Sequence, residues 1–187
     1  MEDTPLVKGD IISGQTCISN KNMIHELEQK GYGEIEKEKL FLKQFETLYL
    51  LYAKRLILKN GNKQFDFNSF MSLSQKTNPE ILTKFLIYRD LRNRGYVVKD
   101  GFGFGSDFRV YERGHFGEKG AKFLIFGLNE GQQEKMGNLQ KKIEEITQMG
   151  KEPIIAVIER RGEIIYYKIN IMNFNENKAR LEESFQL

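Results

Sequence analysis

Apolar residues in the first 32 positions come in short pieces (LV, II, CI, MI) separated by Gly, Ser and Asn. That spacing predicts two or three small strands and a turn of helix. From Lys39 the pattern changes. The run LFLKQFETLYLLYAKRLIL places Phe41, Phe45, Leu48 and Tyr52 three or four residues apart, which predicts one helix with a buried face. Asn60-Gly61-Asn62 reads as a turn, and DFNSFMSLSQK (66–76) as a short helix capped by Asp66, with Phe67, Phe70, Met71 and Ser74 on its inner side. Asn78-Pro79-Glu80 reads as a helix start: a cap residue, Pro in the first helical position, then an acid facing the dipole. The helix that follows is expected to bury Ile81, Leu82, Phe85 and Leu86 and to end at Gly95. Arg89, Arg92 and Arg94 in its last turn suit either a phosphate-facing patch or complementation of the helix dipole.

Beyond Gly95 the period shortens. YVVKD, DFRVY and AKFLIF are strand-like runs with turn residues between them. QQEKMGNLQKKIEEITQM aligns Met136, Leu139, Ile143, Ile146 and Met149 in one helical stripe that Gly150 ends; two heptads suit packing on a sheet better than a coiled coil. PIIAVI reads as a fully buried strand, Arg160-Arg161-Gly162 as a tight turn, and EIIYYKINI as the antiparallel return. That last strand is either a sheet edge open to a partner strand or an interior strand of its own sheet. The fold class expected is α/β, with an α+β N-terminal unit over residues 1–94 and a C-terminal mixed sheet flanked by helices over 95–187. The helix 79–94 serves as a shared element. The closing segment NENKARLEESFQL is charged and carries no assignable chemistry.

Composition narrows the class. A chain of 187 residues, 40% hydrophobic and 29% charged, is long enough for one large domain or two small ones. A net charge of +3 permits a nucleic-acid partner without requiring one. The single cysteine, Cys17, cannot form an intrachain disulfide and points to a reducing cytoplasm. With His25, His115 and Cys17 as the soft ligands, a structural zinc site is not expected. No apolar run reaches the roughly 20 residues of a membrane helix, and MEDTPLVKGD lacks the basic and apolar parts of a signal peptide.

Three chemistries can be weighed on the residues. GFGFGSDF (101–108) resembles a phosphate loop only in its glycines, because no Lys-Ser/Thr pair follows and the next element is a strand. A metal-dependent nuclease would need an acid two residues before Lys122, to act with Asp107, and that position is Gly120. A metal-free ribonuclease fits better: Tyr111 ends a strand, Lys151 begins another, and His115 lies on the loop between. Such a set can take the proton of a 2′-hydroxyl, protonate the leaving 5′-oxygen and steady the phosphorane. Each also has a plainer role: Tyr111 packed at a strand end, Lys151 against a helix dipole, His115 on a surface loop.

YRDLRNRGYVVKDGFGFGSDFRVYERG (88–114) closely resembles the hallmark segment of the archaeal tRNA-splicing endonuclease family, and KEPIIAVIERRGEIIYYKI (151–169) resembles its C-terminal hairpin. The resemblance implies two α/β units, the second with a nuclease-like mixed sheet. It implies assembly into dimers or tetramers that recognise a bulge-helix-bulge at exon–intron junctions of precursor tRNA. The implied reaction needs no metal or other cofactor and leaves a 2′,3′-cyclic phosphate and a 5′-hydroxyl, with Tyr as base, His as acid and Lys stabilising charge. Matched residue by residue, Tyr falls on Tyr111 and Lys on Lys151, but the His position, just before AKFLI, is Gly120. His115 lies five residues earlier, and the family's base-clamping Arg is replaced by Glu144. Arg113 and Lys122 are weaker candidates for RNA contact. The hairpin turn that docks on a partner subunit is acidic in the family and here is the mixed Glu159-Arg160-Arg161-Gly162-Glu163. Three expectations follow: a structural subunit beside a catalytic one, in a hetero-oligomer such as a heterotetramer; an active subunit using His115; or an RNA-binding scaffold that no longer cleaves.

Overall fold

The computed structural model describes residues 6–101, 105–129 and 136–171. Outside them lie MEDTP, residues 102–104 of the GFGFGSDF segment, the QQEK expected to begin the last helix, and the closing NENKARLEESFQL. The side chains of Met136 and Leu139 in the expected stripe also lie outside the described residues.

A first sheet forms early in the chain. β1 (Val7–Ile12) and β2 (Gln15–Ile18) make an antiparallel hairpin, followed by α1 (Lys21–Gln29). Asn20 caps α1 by accepting a hydrogen bond from the Met23 amide. Then come β3 (Glu34–Glu36), β4 (Lys39–Leu42), α2 (Gln44–Tyr52), β5 (Leu56–Asn60), β6 (Lys63–Phe65) and α3 (Phe67–Thr77). The strand order is β3-β4-β2-β1-β5-β6, with β1 and β5 parallel and the other pairs antiparallel.

The Leu-rich run is therefore strand, helix, strand and not one helix. Leucines and phenylalanines crowd both faces of it, so periods of 2 and of 3.6 both fit, and the polar residues decide. The Glu46 carboxylate accepts the Lys43 and Gly33 amides, which starts α2 at Gln44 and leaves Phe41 in β4. Lys54 turns left-handed (φ 54°) and the Arg55 amide reaches back to the Leu50 carbonyl, which stops α2. Leu48, Leu50 and Leu51 are buried, whereas Tyr52 is exposed. Asp66 caps α3 as expected, accepting from the Ser69 amide, and Phe70, Met71 and Ser74 are buried.

α4 (Ile81–Asn93) starts two residues after Pro79. Asn78 accepts the Glu80 amide with its side chain and the Ile81 amide with its carbonyl, so Pro79 and Glu80 form a turn ahead of the helix. Leu82 is exposed instead of buried, and the inner face is Ile81, Phe85, Ile87, Tyr88 and Leu91. A wide face is needed because α4 packs on α2 and α3 on one side and on the second sheet on the other. The three arginines are spent within the chain: Arg92 lies 4.1 Å from the Tyr32 ring centroid, Arg89 lies over Tyr52 and Phe85, and Arg94 pairs with Asp90.

The second sheet has the order β11-β10-β9-β8-β7. Its strands are β7 (Val97–Asp100), β8 (Phe108–Tyr111), β9 (Phe123–Asn129), β10 (Glu152–Ile158) and β11 (Ile164–Lys168). β9 and β10 are parallel, joined through α5 (Met136–Gln148), and the other pairs are antiparallel. Ile146 of α5 packs with Leu124 and Phe126, but Met149 leaves the stripe and is exposed. β10 is not buried throughout: Pro153, Ala156 and Ile158 are, and Ile154, Ile155 and Val157 are half-buried. β11 pairs only with β10 among the described residues, so it is an edge, and it leaves Ile165 and Tyr167 exposed. One core runs through both sheets: Phe108 of β8 meets Phe45 of α2 edge-on at 5.1 Å and Tyr88 of α4 at 6.1 Å. No helix among the described residues is long and apolar enough to cross a membrane.

Candidate active site

Strand register brings the matched residues to one end of the second sheet. Val110 pairs with Phe123, and Phe123 with Glu152. One step further, the Lys122 amide bonds the Val110 carbonyl and the Glu152 amide bonds the Lys122 carbonyl, so Tyr111, Lys122 and Lys151 lie in a row across three adjacent strands. With strands about 4.8 Å apart, the Tyr111 and Lys151 backbones stand roughly 10 Å from each other, a span that a phosphate group and two side chains can fill.

Each element end has a local cause. α5 stops at Gly150, left-handed at φ 68°, with the Lys151 amide returning to the Ile146 carbonyl and the Gly150 amide to Thr147. This double closure aims the chain back at the sheet and delivers Lys151 to the head of β10. The Lys151 amine donates to the Ala121 carbonyl at 2.7 Å, on the neighbouring loop and not on its own helix. Tyr111 closes β8 opposite Val97 and meets Phe116 edge-on, ring centroids 5.0 Å apart.

The loop from Tyr111 to Lys122 folds around His115. Its amide donates to the Glu112 carbonyl, and its own carbonyl accepts the Glu118 and Lys119 amides. The imidazole lies 3.8 Å from the Glu118 carboxylate. Gly120, not His115, adjoins the lysine: a Cβ built there would stand 3.9 Å from the Lys151 amine with nothing nearer, and the backbone is not left-handed.

The remaining candidates are engaged. Lys122 pairs with Glu112, and this contact holds the Glu112 carboxyl below its ordinary range and the Lys122 amine above its own. Arg113 lies over the Tyr96 ring at 4.9 Å. Glu144 is exposed on α5 and accepts from the Gln140 side chain. Asp107 accepts the Gly127 amide with one oxygen and pairs with Lys84 through the other, at the far end of β8 from Tyr111. No group of three or more His, Cys, Asp and Glu suited to a metal occurs among the described residues. At the hairpin tip, the Gly162 amide bonds the Glu159 carbonyl, and Arg160, Arg161 and Glu163 face solvent. Phe116 is a site neighbour that the sequence did not flag, since a lone loop phenylalanine has no periodicity to betray a contact.

Comparison with known proteins identifies the family. Residues 7–71 match the family described as tRNA intron endonuclease, N-terminal domain, and residues 81–166 match tRNA intron endonuclease, catalytic C-terminal domain. The tRNA-splicing endonuclease of Pyrococcus furiosus is 31% identical over 145 residues, covering 78% of this chain and 84% of that protein. Those of Thermococcus onnurineus and Methanococcus maripaludis are each 31% identical, over 165 and 156 residues, covering 87% and 83% of this chain and 95% and 88% of theirs. With both family segments matched in order and most of the chain aligned, this protein belongs to the tRNA-splicing endonuclease family.

Proposed function

We propose that this chain is the structural subunit of a tRNA-splicing endonuclease. It supports metal-independent cleavage of precursor tRNA at bulge-helix-bulge junctions while an associated subunit supplies the complete catalytic set. The observation that carries the reading is the bare position beside Lys151: Gly120 offers no group that can protonate the leaving 5′-oxygen. General acid catalysis contributes about 10²–10⁴ in rate, more than an active subunit gives up without replacement. Tyr111 and Lys151 remain in place, which suits retention of the fold and of RNA contacts.

Two features suit a partner. β11 is an edge with alternating exposed Ile165 and Tyr167, able to extend its sheet by strand addition. The 159–163 turn is of mixed charge and exposed over 160–163, so its mate would carry both signs. The test is cleavage of a bulge-helix-bulge RNA in EDTA by the chain alone and with a His-bearing homologue. Cleavage only with the homologue, insensitive to Tyr111→Phe in this chain, is the expected result. Cleavage by the chain alone, abolished by His115→Ala, would overturn the proposal in favour of His115 as the acid.

A further inference from the structure

The loop that carries the candidate site is braced from the first sheet. The turn at residues 30–33 is tied down by three separate elements: Arg92 of α4 donates to the Lys30 carbonyl at 2.9 Å, Lys99 of β7 to the Gly33 carbonyl, and the Gly33 amide to Glu46 of α2 at 2.9 Å. At its centre Gly31 is buried and left-handed at φ 76°. A Cβ there would fall 2.3 Å from the Val97 side chain and 3.3 Å from the Phe116 ring. The bare backbone of Gly31 therefore lets both residues close onto the turn. Val97 is the registered partner of Tyr111, and Phe116 meets the Tyr111 ring at an interplanar angle of 90°. Lys99, already bound to the turn, stands 6.0 Å from the centroid of the Phe116 ring.

We propose that Phe116 is a positioning residue for Tyr111, seated by the Gly31 turn of the N-terminal part of the chain. Tyr111 is the last residue of its strand, flanked by Val97 of β7 on one side and Lys122 on the other, and it is half-buried. Without a ring against its face it is free to change rotamer, because strand-end tyrosines otherwise swing into solvent. The Phe116 edge contact selects one orientation of the phenol, and the Gly31 turn holds Phe116 in place. The proposal rests on the family match only in giving the phenol a role at the site; the contact itself stands on the geometry.

The experiment uses full-length protein with carbon-13-labelled tyrosine rings, the Tyr111 resonance being assigned by its loss in Tyr111→Phe. In Phe116→Leu, which keeps an apolar group on Gly31, the Tyr111 ring signal is expected to lose its ring-current shift and move to the position of a freely rotating tyrosine. The other seven of the eight tyrosines should be unmoved. Phe116→Tyr should restore the Tyr111 shift. Placed in a Gly120→His background, Phe116→Leu should lower kcat for RNA cleavage by between ten- and a hundredfold with KM unchanged, since small misplacements of a reacting group cost rates of that order. A Tyr111 signal that does not move in Phe116→Leu overturns the proposal. If the signal moves while Gly120→His stays inactive, the positioning stands and the functional reading of the site fails.

Discussion

Gly120→His is the substitution that most directly tests whether this site is a complete nuclease lacking one group. The backbone at Gly120 is not left-handed, so a side chain adds no strain, and the nearest atom to a new Cβ is the flexible end of Lys151 at 3.9 Å, ordinary van der Waals contact. Replacing Gly at such a compatible position stabilises by about 0.4–1 kcal/mol through the unfolded chain. The variant should therefore fold with an unchanged or slightly higher Tm. The imidazole then adjoins the Lys151 amine. Restoring a general acid should raise the cleavage rate about 10²–10⁴-fold, equivalent to roughly 2.7–5.5 kcal/mol of barrier. The Lys151 cation beside it disfavours a second positive charge, so the rate should be greater at mildly acidic pH than at pH 8. The assay is single-turnover cleavage of a bulge-helix-bulge RNA in EDTA, followed by detection of 2′,3′-cyclic phosphate ends. A folded Gly120→His protein no faster than its parent, with Tyr111 and Lys151 intact, would refute the assignment of Gly120 as the vacant acid position.

Glu46 is 1% exposed, and burial raises its carboxyl above the ordinary value near 4.5 despite the two amides it accepts. A raised folded pKa means that its contribution to stability is fully present below the unfolded value and is lost as pH rises through the folded one. Urea unfolding from pH 4 to 8 should show that decline in the parent and a flatter profile in Glu46→Gln; equal slopes would contradict it. Phe108→Ala removes the ring shared by Phe45 and Tyr88 and should cost about 3–5 kcal/mol in chemical denaturation, losing both sheets in a single transition. Tyr167→Lys places a charge on the exposed side of the β11 edge, and light scattering should report a lower mass than for the parent. A parent that is monomeric at every concentration would remove the basis for that expectation.

Much of the site's layout was readable without coordinates because it depends on local rules. Tyr111 at a strand end, Gly150 stopping a helix and Lys151 just after it follow from patterning and helix-stop chemistry within a few residues. The Asp66 cap and the Asn60-Gly61-Asn62 reversal are equally local, and the structure has both. The 40–58 run was not readable in the same way. Its apolar residues satisfy two periods at once, and the choice fell to hydrogen bonds from the Gly33 amide to the Glu46 carboxylate and from the Arg55 amide to the Leu50 carbonyl.

The sequence by itself determined the α/β character, the succession of elements along the second half of the chain, and the absence of a histidine from position 120, since these depend on short-range periodicity and residue identity. Only the tertiary structure decided that position 120 faces the Lys151 amine, that β11 is an edge, and that Phe116 and Gly31 join the two halves of the chain beside Tyr111. The approaches of Gly120 to Lys151 and of Gly31 to Phe116 join residues tens of positions apart. They arise from strand register and close packing, which no window along the chain contains.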